Sequence, residues 1–250
     1  MPDPGRESGV PGDVGLGLSR RWGYVLVMDR VRWADVRDLV VRVLGPVVVL
    51  CGLVVGLGLA VVGPLAGPLT EEDAVNQALA DRRSGTWDAI TSVWSFLGST
   101  QAIVGVCLLV SAFVLWRCRD WRLALVPAMA ITLQLGLYLT VTALVHRERP
   151  SVNRLESLLP MSSYPSGHVG ASTALYLSFL LLASRIERAA LRRAVSAVCV
   201  LVPLVVAFGR LYRGMHHVSD VAVGMAAGAC CALLAYAWYR HRVLTPATAD

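Results

Sequence analysis

The chain has 250 residues, 56% of them hydrophobic and only 16% charged, with a mean hydropathy of +0.60. That balance excludes an ordinary soluble domain, and several apolar runs approach or exceed the ~20 residues a helix needs to cross a bilayer. There is no lysine: the 23 fixed cations are all arginine and the formal net charge is +6. The arginines lie between apolar runs rather than on one solvated face, which argues against a nucleic-acid partner.

These features predict an all-α fold, a polytopic bundle of six transmembrane helices in one domain. Residues 1–38 read as an N-terminal arm, 39–240 as the membrane domain and 241–250 as a short tail. The first dozen residues read as disordered, whereas 20–38 alternate apolar and charged positions and suit a helix lying on the membrane surface. A cleaved signal peptide is not expected, because the first apolar run starts too late and is too long. The six cysteines form no disulfide framework; all but Cys118 sit inside apolar runs and read as packing residues.

The first span is expected over residues 43–69, where Gly56-Leu57-Gly58 reads as a close helix contact rather than a dinucleotide loop. Residues 70–97 are amphipathic. Thr70-Glu71-Glu72-Asp73 looks like a helix start, and Trp87, Ile90, Val93, Trp94 and Leu97 recur at helical spacing, as in a helix resting at the interface. Further spans follow at 97–116, 123–145 and 167–183, with the basic loop 117–122 after the second and the polar loop 146–164 after the third. After another basic connection, the fifth span runs from about 194 to 209 or 212. The longer version carries Arg210 into the membrane margin, where a charge is a functional candidate by default. The sixth covers about 218–239. Both termini and the loops at 117–122 and 184–193 share one side and hold most of the arginines, so the positive-inside rule places the N- and C-termini in the cytoplasm. Residues 146–166 and 210–217 then meet on the opposite, extracytoplasmic face.

Three clusters converge there: His146-Arg147-Glu148-Arg149-Pro150, Pro165-Ser166-Gly167-His168, and the stretch 209–220 holding Arg210, Arg213, His216, His217 and Asp220. A helix N-terminus at Gly167 offers free N–H groups and partial positive charge to an anion, and Ser166 can cap the helix or donate to that anion. Arginines brought near it form a clamp whose geometry matches phosphate oxygens. His216 and Asp220, four apart, share a helix face; a carboxylate on one imidazole nitrogen raises the basicity of the other. Such a histidine can attack phosphorus while His168 protonates the departing oxygen. Plainer readings stand beside this one. Arg147 and Arg149 can contact lipid headgroups, Asp220 can cap a helix, and His217 reads as an interfacial neighbour. A metal site from His216, His217 and Asp220 has few further carboxylates, only Glu148 and Glu156. A serine hydrolase at Ser166 lacks the Gly-x-Ser-x-Gly elbow.

The three clusters resemble the signature of the type 2 phosphatidic acid phosphatase superfamily of integral membrane lipid phosphatases: Lys-x6-Arg-Pro, Pro-Ser-Gly-His and Ser-Arg-x5-His-x3-Asp. Arg149-Pro150 matches the end of the first, residues 165–168 match the second, and Arg210, His216 and Asp220 match the third at its spacing. The likeness covers about residues 40–240. It implies catalytic His216, His168 and Asp220, and phosphate bound by Arg149, Ser166, Gly167 and Arg210, with no metal and no cofactor. It implies a lipid phosphate or diphosphate substrate, turned over through a phosphohistidine in phospholipid metabolism. Two positions depart from the pattern. Gly209 stands for the serine, and Thr142 stands for the lysine, for which Arg147 is expected to compensate as a phosphate ligand. Thr142 keeps open a non-catalytic lipid-phosphate binding or transport protein on the same scaffold; a phosphotransferase is the other alternative.

Overall fold

The computed structural model describes residues 37, 40–157 and 161–244. The expected surface helix over 20–38 falls outside them except for Arg37. Among the described residues there are helices and no strands. They are α1 (Val40–Val62, its first turn π-helical), α2 (Glu71–Ala80), α3 (Gly85–Leu97), α4 (Thr100–Cys118), α5 (Trp121–Leu144), α6 (Gly167–Ala183), α7 (Ala189–Tyr212) and α8 (Val218–Leu244).

Five of these, α1, α4, α5, α7 and α8, are long and apolar enough to cross a membrane, while α6 has 17 residues. Helix α6 is the centre of the bundle. It packs on α8, α7 and α5, and Val169, Ala174 and Leu175 are fully buried. A helix that is apolar all round belongs inside a bundle. Outward-facing Val48, Val49, Leu53, Leu108, Leu109 and Phe113 on α1 and α4 give the periphery the apolar surface that lipid requires.

Small residues set the spacing at the centre. A Cβ at Gly224 of α8 would lie 2.6 Å from the Ser166 carbonyl oxygen, and one at Gly228 would lie 3.0 Å from the Ala174 nitrogen. Helix α8 therefore runs against α6 backbone to backbone, and the Ser166 N–H donates to the Asp220 carbonyl at 3.0 Å. The Gly56-Leu57-Gly58 reading is half realised: Gly58 makes room for the Tyr164 ring, whereas Gly56 faces open space.

Several boundaries move for local reasons. Helix α1 stops at Val62, seven residues before the expected end, because Pro64 has no N–H and restricts the residue before it. The basic loop at 117–122 shrinks to Arg119 and Asp120. Arg119 takes a left-handed conformation (φ 55°), and the Asp120 carboxylate accepts from the Arg122 and Leu123 amides to start α5. Helix α7 begins at Ala189 rather than 194, since its arginines lie exposed along the helix and do not need to end it.

The largest difference lies at 70–97. This stretch is two helices, with Ser84 capping α3 by accepting from the Trp87 amide. Trp87 and Trp94 pack on Phe208 of α7. Asn76 of α2 is completely buried and donates to the carbonyls of Leu211 and His216, at 3.3 and 3.1 Å. Helix α2 thus clasps the turn between α7 and α8 and is more than an interfacial helix.

Candidate active site

The site forms where the start of α6, the loop after α5 and the α7–α8 turn meet at one end of the bundle. Ser166 is the N-cap of α6, yet its hydroxyl makes no capping bond and has no hydrogen-bond partner among the described residues, although the residue is fully buried. The first-turn N–H groups of a helix have no intrahelical acceptor, so this end of α6 presents donors without a carboxylate. Gly167 lies beneath Tyr138 of α5, whose ring would sit 2.9 Å from an added Cβ. His168 follows, half-buried, with its backbone against Gly98. It lies within electrostatic reach of Arg210, His216, Glu156 and Arg149.

His216 is held differently from the sequence expectation. Its Nδ1 lies 2.7 Å from the Ser163 carbonyl oxygen, while the nearer Asp220 oxygen is 3.8 Å away. A carbonyl only accepts, so Nδ1 carries the hydrogen and Nε2 keeps its lone pair. Asp220 is fully buried and works one layer behind. It accepts from the Ser163 hydroxyl, and from the His217 amide at 2.9 Å. Burial first, and then the charges of Arg210 and Arg149, bring the His216 pKa down to about 4 against the opposing pull of Asp220. The imidazole is neutral at pH 7. His217 is not a bystander: its Nδ1 is 3.2 Å from Asp220 and its Nε2 is 3.3 Å from Asp73.

The arginines divide into two kinds. Arg147 is spent on protein: Nη1 reaches Asp220 at 2.5 Å and the Ser219 hydroxyl at 2.7 Å, and Nη2 reaches Glu72 at 2.8 Å. Burial alone would lower its pKa, but the Asp220 and Glu72 carboxylates raise it. Arg147 was expected at the phosphate; its position behind Asp220 follows from these two nearer carboxylates. Arg149 has no carboxylate partner among the described residues, and burial together with the Arg210 cation lowers its pKa. Its Nη1 donates to the Met215 carbonyl at 2.5 Å. Arg210 is 1% exposed and pairs through Nη1 with Glu156 and the Ser95 hydroxyl, at 2.6 and 2.7 Å, while its Nε has no partner. Thr142 turns its hydroxyl back to the Tyr138 carbonyl, 2.9 Å away, and lines a cavity of about 260 Å³ with Leu139, Ala143, His146, Met161 and Ser162.

Sequence reasoning missed the supporting residues. Glu156 bridges Arg210 and Arg213 at 2.6 Å each, Glu72 holds Arg147, and Arg83 donates to the Tyr212 carbonyl at 2.9 Å and the Asn153 carbonyl at 2.5 Å. Only the acidic content of 71–73, beside so arginine-rich a face, was a signal that α2 belonged here.

Residues 123–244, which contain the whole site except its α2 and α3 supports, match the family model of the PAP2 superfamily. The fold agrees: it is similar to the crystal structure of the first transmembrane PAP2 type phosphatidylglycerolphosphate phosphatase from Bacillus subtilis. That match has a TM-score of 0.68 at 18% identity and covers 78% of this chain and 96% of that one. The fold is also similar to LpxE of Aquifex aeolicus, with a TM-score of 0.53 at 20% identity over 66% of this chain and 93% of that one. The protein is a multi-pass helical membrane protein whose residues 123–244 match the PAP2 superfamily.

Proposed function

We propose that the protein hydrolyses a lipid phosphate or diphosphate through a phosphohistidine on His216, without a metal. The observation that carries this reading is the Ser163 carbonyl bond to Nδ1 of His216, at 2.7 Å, which leaves Nε2 as a neutral nucleophile. Unpartnered donors on Ser166 and Arg210, together with Arg149 and the α6 N-terminus at Gly167, supply a seat for three phosphate oxygens. Nε2 attacks phosphorus, the bond to the lipid oxygen breaks, and His168 gives that oxygen its proton. The charge of the bound phosphate favours the protonated form of His168. Water, deprotonated by His168, then displaces Nε2 from phosphorus and releases inorganic phosphate. So concentrated a set of arginines repels a cation, which supports the metal-free route. The names of the family and of the Bacillus subtilis neighbour support a lipid phosphate as substrate.

In the same reading α6 is the sixth span. Its 17 residues give about 26 Å, close to the hydrocarbon thickness. The arginine distribution supports cytoplasmic termini and a site on the extracytoplasmic face.

The test is phosphate release from a panel of lipid phosphates by the detergent-purified protein, with chelator, beside His216→Ala. Turnover that survives chelator and disappears in the variant is expected; chelator-sensitive turnover overturns the metal-free route. Binding without turnover would instead favour the non-catalytic reading, for which the back-bonded Thr142 hydroxyl speaks.

A further inference from the structure

We infer that Glu72, in the first turn of α2, is a positioning residue for this reaction, acting through Arg147 and Ser219 on Asp220 and thereby on His216. The inference rests on the reading of His216 as the nucleophile.

The geometry forms a closed chain. Glu72 Oε1 accepts from the Ser219 amide at 2.8 Å, within the first turn of α8, so a carboxylate from another helix caps the helix that carries Asp220. Glu72 Oε2 accepts from the Ser219 hydroxyl and from Arg147 Nη2, both at 2.8 Å. Arg147 Nη1 closes the circuit on Asp220 Oδ1 at 2.5 Å. The other Asp220 oxygen takes the Ser163 hydroxyl, and the Ser163 carbonyl holds the His216 ring. Charges therefore alternate away from the imidazole: Asp220 negative, Arg147 positive, Glu72 negative. One face of this arrangement is fully buried at Asp220, where water screens little. The same short helix also grips the His216 carbonyl through Asn76, so α2 locates both the ring and the backbone of the nucleophile.

Other charges face His216: Arg210 from α7, Arg149 from the loop after α5, His168 from α6, and His217 with its partner Asp73. They offset its titration but are common to the parent and the variants below.

An electrostatic chain predicts opposite effects from its two outer members. Glu72→Gln keeps an acceptor for the Ser219 amide but removes a negative charge, and lowers the His216 pKa. Arg147→Gln removes a positive charge and raises it. The measurement is an NMR titration of ring-13C-labelled histidine in the detergent-solubilised full chain, with His216 assigned by His216→Asn among the five histidines. Shifts of at least about half a unit in opposite directions are expected. Phosphate release by each variant falls about tenfold or more in kcat, while inhibition by inorganic phosphate stays within about twofold, because neither residue touches the phosphate. Unchanged His216 titration, or shifts in the same direction, overturns the inference. So does a tenfold loss of phosphate affinity in Arg147→Gln, which would return Arg147 to the phosphate clamp. If Arg147→Gln does not yield monodisperse protein, Glu72→Gln decides alone. The titration needs no turnover, so an inactive parent counts against the proposed hydrolysis and leaves this result standing.

Discussion

At the scale of single residues, the site works by leaving some polar groups without protein partners and satisfying others twice. Ser166 and the Nε of Arg210 have no partner among the described residues, whereas Asp220 and Glu156 each collect several donors. Glu156 is the counter-charge that makes burial of Arg210 tolerable. Burial pushes its carboxyl up, but Arg210, Ser95 and Arg213 outweigh that and hold it at about 2, against 4.5 normally. The folded protein therefore takes up this proton less readily than the unfolded chain. The stabilisation is complete above pH 4.5 and is lost as pH falls toward 2. Glu156→Gln should melt at a lower temperature than the parent at neutral pH, and the two melting curves should converge only as pH falls through about 2. Thermal unfolding in detergent at several pH values reads this directly, and a gap that persists undiminished at low pH would show that Glu156 stabilises by packing and not by charge.

At the scale of elements, two devices hold the reacting groups together. One is the close crossing of α6 and α8; the other is α2, which clasps the turn between α7 and α8. The crossing depends on Gly224, since a methyl there would sit 2.6 Å from the Ser166 carbonyl, a backbone atom that cannot swing aside. Gly224→Ala forces the two helices apart at the level of Ser166 and Asp220. The expected cost is about 1–3 kcal/mol of stability and, because a shift of ~1 Å misaligns the reacting atoms, about 100-fold in kcat/KM. Gly136→Ala is the control, for nothing lies within 4 Å of its added Cβ. Melting temperature and phosphate release measured on both variants separate a contact effect from general intolerance of alanine. Equal behaviour of the two would remove the crossing from the account.

For the whole molecule, the arrangement divides the bundle into two ends. Residues 146–157, 161–166 and 210–220 form one, while Arg119 and Asp120 make the turn between α4 and α5, with exposed Cys118 as the last residue of α4, separated from the site by the length of α5. The proposed orientation gives a direct prediction. In intact cells, a membrane-impermeant maleimide should fail to label Cys118 but should label a cysteine introduced at exposed Glu148. Permeabilised cells should show both. The reverse pattern in intact cells would put the site on the cytoplasmic side.

The sequence alone determined the features that depend on local chemistry. Bilayer-length apolar runs marked the long helices, and the Gly167–Ala183 boundaries were legible from a proline-serine start and a purely apolar continuation. Equally legible was the grouping of Arg149, Ser166, His168, Arg210, His216 and Asp220 at one end, because an odd number of predicted spans separates those positions from the other basic loops in the sequence. Tertiary structure alone decided how those groups are held. Glu72 and Ser219 are 147 positions apart, Arg210 and Glu156 are 54 apart, and no periodicity links such pairs. The Ser163 carbonyl that orients His216 is backbone, identical in every residue, and so carries no sequence signal. Arg147 shows the same limit. Its proximity to the phosphate motif was visible in the chain, but the carboxylates that capture it come from two other helices, and only folding brings them within reach.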